Sequence, residues 1–175
     1  MQFCPITIED LDTLRVLAIR TYTAAFEHKN QPGVLEEYVV YAFAKAHLEK
    51  QLLDSNSHWY FLKQNDTIVG YLKLNTGEAQ TEFQEAHGLE IERIYIDIPY
   101  LGKGYGKKAI DFSISQAQQL EKSYIWLGVW EENPDAIRFY KKCGFKITGT
   151  HAYDMVAEIQ TDYIMQYDLT WNKKK

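Results

Sequence analysis

Cysteine and long apolar runs are both scarce in this chain of 175 residues. Its two cysteines, Cys4 and Cys143, cannot build a disulfide framework or a metal cluster, and they fit a reducing cytosol. No apolar stretch approaches the roughly 18–20 residues that a membrane-spanning helix needs. The N-terminus lacks a basic segment followed by an apolar core, so no secretory signal is expected. These absences predict a cytoplasmic protein with no membrane partner.

Positive charge is also in short supply. The formal net charge is −5, which disfavours non-specific nucleic-acid binding but permits a cationic substrate. The histidines show no metal-ligand spacing, so no metal is expected: His28, His47, His58, His87 and His151. No repeat, low-complexity run or linker interrupts the sequence, and residues 1–175 are therefore expected to form a single domain.

Apolar and aromatic side chains, in contrast, are plentiful. The apolar fraction of 46% is ample for a hydrophobic core. Thirteen tyrosines and four tryptophans are many for this length. Most should pack in the core, but a surplus can line a groove that holds an aliphatic cation.

The chain is organised around the segment from Leu89 to Leu120, whose pattern is that of a strand, a glycine loop and a helix. The strand is indicated by β-branched and aromatic residues: Ile91, Ile94, Tyr95, Ile96 and Ile98. Pro99 is expected to end it, since proline cannot donate a ladder hydrogen bond. The loop contains Gly102, Gly104 and Gly106, and apolar residues then recur at helical spacing. The unpaired N–H groups at such a helix start, together with the helix dipole, favour an anion.

Three lysines strengthen this interpretation. Lys107 and Lys108 fall in the first turn of the predicted helix, and Lys103 precedes it. A cation at this end interacts unfavourably with the helix dipole, which costs about 0.3–1 kcal/mol for each lysine. A bound polyphosphate would turn that cost into attraction, whereas the alternative is a flexible glycine turn with solvated lysines. The spacing fits neither a Walker loop nor the dinucleotide fingerprint, because Lys108 follows Lys107 and Lys107 stands where the fingerprint needs Gly.

A second motif runs from Asn133 to Phe145. Asn133 is a good N-cap, and Pro134 suits the first helical position. Gly144 suits the left-handed C-terminal position, with basic residues in the last turn. The pattern predicts a helix of about two to three turns.

These two motifs resemble those of the GCN5-related N-acetyltransferases (GNAT). The first family pattern is Gln/Arg-x-x-Gly-x-Gly/Ala after a strand; Gly104 and Gly106 match it, and Leu101 departs from it, which leaves one side-chain contact to the cofactor in doubt. The second is Asn-x-x-Ala-x-x-x-Tyr followed by Gly-Phe, matched by Asn133, Ala136, Tyr140, Gly144 and Phe145. The run YLGKGYGK looks most like the PaiA-like spermidine/spermine N-acetyltransferases of bacilli.

The resemblance implies an α/β fold with a central mixed, mostly antiparallel sheet of about six or seven strands, splayed at its parallel pair and flanked by about four helices. The cofactor core is expected at about 89–145 and the substrate-side helices at about 7–53. The residue patterns themselves predict strands and helices. The strands are expected at 2–5, 58–63, 67–74, 124–130, 145–153 and 162–169, and the helices from Thr7 onward and over 34–53 with a break near 41–45.

The resemblance further implies acetyl-coenzyme A as the cofactor. The glycine loop would cradle its pyrophosphate, the backbone of Ile94 to Ile96 would bond the pantetheine arm, and a backbone N–H near Ile96 would meet the thioester oxygen. The implied cofactor-binding residues are Ile94, Tyr95, Ile96, Leu101, Gly102, Lys103, Gly104, Tyr105, Gly106, Lys107, Asn133, Tyr140 and Lys142.

Three residues are candidates for catalysis by the same resemblance. Tyr140 would protonate the leaving thiolate, since a phenol of ordinary pKa stays protonated at neutral pH; the alternative is a core tyrosine with one hydrogen bond. Glu92 or Glu90 would draw the proton from the amine. Both alternate with Ile91 and so share one strand face, with Arg93 expected on the other; the alternative is a pair of carboxylates at a wet strand end.

The acceptor is expected to be a small primary amine, first of all a polyamine. Carboxylates and aromatic rings that could hold it are Glu36, Glu37, Tyr38, Tyr41 and Glu92, although for Glu36 and Glu37 individually a solvated helix face is the favoured interpretation. The loop at 75–88 adds three acidic residues. Two other readings stay open: acetylation of a protein N-terminus or lysine, and a coenzyme-A-binding regulatory module without turnover. The family alone suggests a homodimer.

Overall fold

One seven-stranded sheet forms the centre of the computed structural model, which describes residues 1–27, 33–154 and 159–169. The strand order is β1-β2-β3-β4-β5-β7-β6. The strands are β1 Gln2–Pro5, β2 Ser57–Gln64, β3 Thr67–Asn75, β4 Gly88–Ile96, β5 Tyr124–Trp130, β6 Lys146–Asp154 and β7 Ile159–Asp168. Every neighbouring pair is antiparallel except β4 and β5, so the predicted mixed α/β fold is confirmed.

Five α-helices pack on the two faces of this sheet. They are α1 Leu11–Phe26, α2 Val34–Ala42, α3 Lys45–Leu52, α4 Tyr105–Gln119 and α5 Pro134–Lys142. The expected break near 41–45 is confirmed, because α2 ends at Ala42 and α3 begins at Lys45. Within the described residues, no helix is both long and apolar enough to span a bilayer.

Two hydrophobic clusters lie on opposite sides of the sheet. One joins α1, α2 and α3 to aromatic residues of the sheet, with Trp59, Phe61 and Tyr71 each at most 3% exposed. The other joins α4 and α5 to aliphatic residues such as Leu72 and Ile91. We refer to these sides as the α1–α3 face and the α4–α5 face.

The parallel pair is joined over a short length only. Gly88 pairs with Tyr124, Leu89 with Ile125 and Glu90 with Trp126, and the described pairing between β4 and β5 stops there. Beyond it the two strands diverge, as the resemblance implied. The backbone edge of β4 after Glu90 is therefore open on the β5 side, where a ligand can take the place of a strand.

Strand β4 ends earlier than expected. It stops at Ile96 instead of running to Pro99, because Asp97 caps a short 3-10 turn over Ile98–Tyr100 through the Ile98 backbone N–H. The Asp97 carboxylate also accepts two hydrogen bonds from Arg20 of α1, one from Nε at 3.0 Å and one from Nη2 at 2.7 Å. This contact fixes the end of β4 against the α1–α3 face.

A bulge in β4 changes the predicted alternation of side chains. Lys73 pairs with Arg93 and Leu74 with Ile91, so Glu92 has no residue opposite it in β3. Arg93 Nε then donates to Glu92 Oε1 at 3.2 Å. The expectation that Arg93 points away from Glu92 is therefore wrong, since an unforeseen extra residue in the strand brings the two side chains together.

Candidate active site

A cavity of about 820 Å³ opens where β4 and β5 diverge. It extends from the glycine loop and α5 on one side to the α1–α3 face on the other. Its walls include both predicted motifs, and it brings together residues far apart in sequence.

The glycine loop leads directly into α4. Gly102 and Gly104 have φ of +72° and +79°, in the left-handed region that favours glycine. A Cβ at Gly104 would meet nothing within 4 Å, so the backbone angle and not crowding requires glycine there. Gly104 is the N-cap of α4 and offers no side chain to its first-turn N–H groups. This end of α4 therefore has the form of a phosphate-binding helix start.

Gly106 has a different role from the other two glycines. A Cβ there would lie 3.2 Å from Cζ of Phe139, so its absence lets α4 and α5 approach closely. Leu101 precedes the loop and Tyr105 lies between Gly104 and Gly106, and both line the cavity.

The lysines near the loop are placed unequally. Lys107 lines the cavity and forms an ion pair with Asp111 one turn along α4. Lys103 Nζ lies 5.3 Å from the centre of the Tyr100 ring. Among the described residues, Lys103 and Lys142 do not line this cavity, although Lys142 is exposed nearby at the end of α5.

Residues Ile94, Tyr95 and Ile96 line the cavity along the open edge of β4. On their other side they pair with Leu72, Tyr71 and Gly70 of β3, so only one edge of the strand is engaged. Extended backbone with one free edge suits an elongated ligand that forms strand-like hydrogen bonds.

Helix α5 brings its two predicted residues to the same cavity. Asn133 Oδ1 accepts the Ala136 backbone N–H at 3.4 Å and so caps the helix. Tyr140 lines the cavity, and no described residue forms a hydrogen bond with its phenol. Burial raises the pKa of Tyr140 well above its ordinary value, so the phenol keeps its proton at neutral pH.

Glu92 lies within a buried charge network. Its carboxylate contacts Lys73 Nζ, accepts Arg93 Nε and accepts Asn75 Nδ2 at 2.6 Å. Burial alone would raise the pKa of Glu92, yet the nearby cations of Lys73 and Arg93 hold it below its usual range. Glu92 is thus a fixed negative charge with both oxygens engaged.

Glu90 lies beside it and is also fully engaged. Its oxygens accept Asn75 Nδ2 at 2.9 Å, the Thr81 backbone N–H at 2.9 Å and Thr81 Oγ1 at 2.5 Å. Burial and the neighbouring Glu92 charge raise the pKa of Glu90 to about 7, against the lowering effect of these hydrogen bonds. Asn75 binds both carboxylates, so the structure does bring the two predicted glutamates together.

The residues predicted on α2 divide into two groups. Tyr38 lines the cavity, and its hydroxyl lies 2.5 Å from that of Tyr153 on β6. Glu36 caps α2 by accepting the Gly33 backbone N–H at 2.9 Å. Of the described residues, Glu36, Glu37 and Tyr41 are exposed and do not line this cavity.

Several cavity residues had no role in the sequence interpretation, among them His151 and Asp162, which pair across the β6–β7 register. Glu82, one of the three acidic residues of the 75–88 loop, contacts His151. Aromatic rings complete this end of the cavity: Tyr22, Phe26, Trp130 and Tyr153, together with Tyr95, which the sequence interpretation assigned to the cofactor. The large number of tyrosines indicated such rings in general, but only strand register could pair His151 with Asp162. In the described part of the chain, no cluster of three or more potential metal ligands occurs.

Comparison with known sequences gives one family and several relatives. The model of the Acetyltransferase (GNAT) family matches residues 15–145. An uncharacterized N-acetyltransferase from the pepI 3' region of Lactobacillus delbrueckii subsp. lactis is 31% identical over 158 residues, covering 90% of this chain and 91% of that protein. The spermine/spermidine N(1)-acetyltransferase of Bacillus subtilis is 40% identical over 83 residues, covering 47% of this chain and 55% of that one.

Among solved structures, the PaiA N-acetyltransferase of Thermoplasma acidophilum, in complex with coenzyme A, has a similar fold. Its TM-score is 0.78 at 21% sequence identity, covering 96% of this chain and 99% of that one. The likeness therefore extends over nearly the whole length of both chains.

Proposed function

Because the chain belongs to the acetyltransferase (GNAT) family and is an acetyl-coenzyme-A-dependent N-acetyltransferase, we propose that its acceptor is a primary amine of a polyamine or a similar small amine. The observation that carries the proposal is the division of one cavity into two chemically different ends. One end consists mainly of backbone donors, and the other consists of carboxylates and aromatic rings.

The backbone end suits the cofactor. The first-turn N–H groups of α4 would hold the pyrophosphate, and the open edge of β4 at Ile94 to Ile96 would hold the pantetheine arm. Acetyl-coenzyme A supplies an activated thioester there. A backbone N–H near Ile96 is the donor that would stabilise negative charge on the thioester oxygen. Tyr140 would give its proton to the departing sulfur.

The other end suits a flexible cation. Glu90 and Asp162 line it with carboxyl groups, and the rings of Tyr22, Tyr38 and Trp130 surround it. Carboxylates attract ammonium groups, while aromatic faces contact both the cations and the methylene stem between them. The Bacillus subtilis relative supports this choice, since that protein is a spermine/spermidine N(1)-acetyltransferase.

Thiol release from acetyl-coenzyme A tests the proposal over a panel of amines. Spermidine and spermine should be acetylated, and a monoamine of matched length should have a much higher KM because it lacks the second ammonium. The rate at low spermidine should fall with added salt, since exposed charges are screened over about 10 Å at 0.1 M ionic strength.

Each outcome of this panel decides a specific point. Acetylation of peptide amines with none of any polyamine would assign the chain to protein acetylation instead. Equal KM values for spermidine and the monoamine would refute the role of the acidic end. No thiol release with any small or peptide amine would overturn the proposal as a whole.

A further inference from the structure

Three side chains form a row at the end of the cavity that has carboxylates and aromatic rings, which we call the acceptor end. They are Glu82 from the loop before β4, His151 from β6 and Asp162 from β7. His151 and Asp162 both line the cavity, and their side chains are only 12% and 13% exposed. None of the three belongs to either sequence motif.

Glu82 fixes the orientation of the His151 ring. Its Oε1 lies 2.9 Å from His151 Nδ1. A carboxylate accepts hydrogen bonds but donates none, so in the neutral ring Nδ1 carries the hydrogen. The lone pair is then at Nε2, the orientation by which a carboxylate prepares a histidine to accept a proton.

The other ring nitrogen, Nε2, is free of hydrogen bonds. It has no hydrogen-bond partner among the described residues, and it lies 3.9 Å from Asp162 Oδ2. Nε2 is shielded from bulk solvent in the free protein, and both atoms face the position that a side chain at residue 128 would fill. A Cβ on Gly128 would lie 3.1 Å from His151 Nε2 and 3.3 Å from Asp162 Oδ2.

The position of Gly128 in β5 shows where this row lies relative to the part of the cavity in which the thioester would react. The last residue of β5 that pairs with β4 is Trp126, and Gly128 follows two positions later. The row therefore lies beside the point where the strands diverge, next to the open edge of β4. Glu90 and Glu92, in contrast, have both carboxylate oxygens already engaged.

We propose that His151 Nε2 is the general base that takes the proton from the acceptor ammonium, with Asp162 binding that ammonium and Glu82 positioning the ring. The assignment rests on the proposed acetyl transfer to an amine, but not on which amine is used. It differs from the sequence hypothesis, which gave this role to Glu92 or Glu90.

The proton and bond changes balance as follows. The ammonium gives one proton to Nε2, and the neutral nitrogen bonds to the acetyl carbon. As the carbon–sulfur bond breaks, Tyr140 protonates the sulfur and regains a proton from the nitrogen, which becomes an amide. The products are the acetylated amine, coenzyme A thiol and one proton on His151, which is released to solvent.

The charges around His151 favour this transfer. Glu82 approaches from the loop before β4, Asp162 from β7 and Tyr153 from β6, while Glu131 after β5 acts on Asp162. An imidazolium formed there would lie between two carboxyl groups. Its charge would thus be matched on both sides until the proton leaves.

The first test compares His151→Gln with wild type, using any primary amine that wild type acetylates. At pH 7 kcat/KM for the amine should fall about 10²-fold, as expected for loss of a general base. The loss should shrink toward pH values of about 10, where the amine deprotonates unaided. His87→Gln, at an exposed histidine, should behave as wild type. A wild-type rate for His151→Gln at pH 7, or an equal loss at every pH, would overturn the proposal.

A second comparison tests the space in front of the row. Gly128→Ala should raise the KM of the amine about tenfold or more and leave that of acetyl-coenzyme A unchanged. Gly149→Ala is the matched control, since its methyl would lie 3.8 Å from Ile164 Cδ1, an ordinary contact. Equal amine KM values for the two variants would count against the assignment.

The tautomer gives a readout that needs no turnover. Nitrogen NMR of the histidine-labelled free protein should show neutral His151 with its hydrogen on Nδ1, and Glu82→Gln should weaken that preference. A hydrogen on Nε2 would refute the base assignment, even if His151→Gln failed to fold. If wild type acetylated no amine at all, the proposed function would be refuted. The NMR measurement would still test the proposed tautomer of His151, because it needs no substrate.

Discussion

The two ends of the cavity are built by different means. The cofactor end uses backbone groups from one continuous segment, the open edge of β4 followed by the loop and the start of α4, with α5 beside it. The acceptor end uses side chains from α1, α2, β4, β5, β6, β7 and the loop before β4. Backbone donors bind the same moiety whatever the side chains are, whereas an acceptor site changes when a single side chain changes. The first end is thus suited to a constant donor and the second to a particular acceptor.

Tyr140→Phe should give the largest effect, because it removes the hydroxyl that would protonate the departing sulfur where the two ends of the cavity meet. We expect kcat to fall about 10²- to 10³-fold, within the usual worth of general acid catalysis, while affinity for acetyl-coenzyme A stays nearly unchanged. Steady-state kinetics with calorimetric binding would check this. Tyr60→Phe, on β2 outside the cavity lining, is the matched control. Unchanged turnover in Tyr140→Phe would leave Tyr140 a structural role only.

Glu92→Gln should act mainly on folding. It leaves Lys73 buried, at 5% side-chain exposure, without its carboxylate partner, and we expect a loss of about 3 kcal/mol in the free energy of unfolding. Adding Lys73→Met removes the unpaired cation and should restore most of that loss. Denaturant titration measures both variants. If Glu92→Gln were as stable as wild type but inactive below alkaline pH, Glu92 would be the base after all.

Gly104→Asp tests the backbone end by itself. Its negative charge lies where phosphates would approach, so the KM for acetyl-coenzyme A should rise about 30-fold, while the KM for the amine should not change. Gly104→Asn is the matched control, since asparagine has the same size and tolerates the same positive φ without the charge. Equal effects of the two substitutions would show that backbone strain, not repulsion of phosphate, is responsible.

Asp162→Asn should have the smallest effect on stability, and that effect should depend on pH. Burial raises the pKa of Asp162 to about 6 from 3.8, so between these pH values the folded state binds more protons than the unfolded state. Raising the pH through this window therefore lowers the free energy of unfolding. The variant should escape that loss and be more stable at pH 8 by on the order of 1 kcal/mol. Thermal unfolding at pH 4 and pH 8 would show no such difference if Asp162 were unperturbed.

The sequence predicts the cofactor end better than the acceptor end, because the first is built from one continuous segment and the second from several separate elements. The strand–loop–helix segment and the caps of α5 are local patterns, and the positive φ of Gly104 and Gly144 agrees with them. The acceptor end depends on strand register and on the β4 bulge. Nothing local to His151 or Asp162 indicates that they meet, since their pairing depends on how β6 and β7 align.

Local patterns also leave the partners of some acidic residues undetermined. The sequence allows Glu36 either a substrate contact or a solvated helix face, and in the structure its carboxylate closes the N-terminal turn of α2. Glu92 looked like a free base on an alternating strand, but the bulge places it against Arg93 and Lys73. In both cases, a charged residue that fits a functional role on sequence grounds is engaged by a neighbour that sequence spacing did not reveal.

The short parallel contact has a mechanical consequence. Only three residue pairs join β1–β4 to β5–β7, so the described sheet is two half-sheets held by a narrow backbone hinge. A pantetheine arm hydrogen-bonded to the open edge of β4 would lie between the two half-sheets. It would keep them apart and at the same time connect them. Amide exchange along Ile94–Ile96 should slow when coenzyme A is added, and so should exchange in β5, which the ligand would tie to the other half. The donor would thereby set the width of the gap that the amine enters.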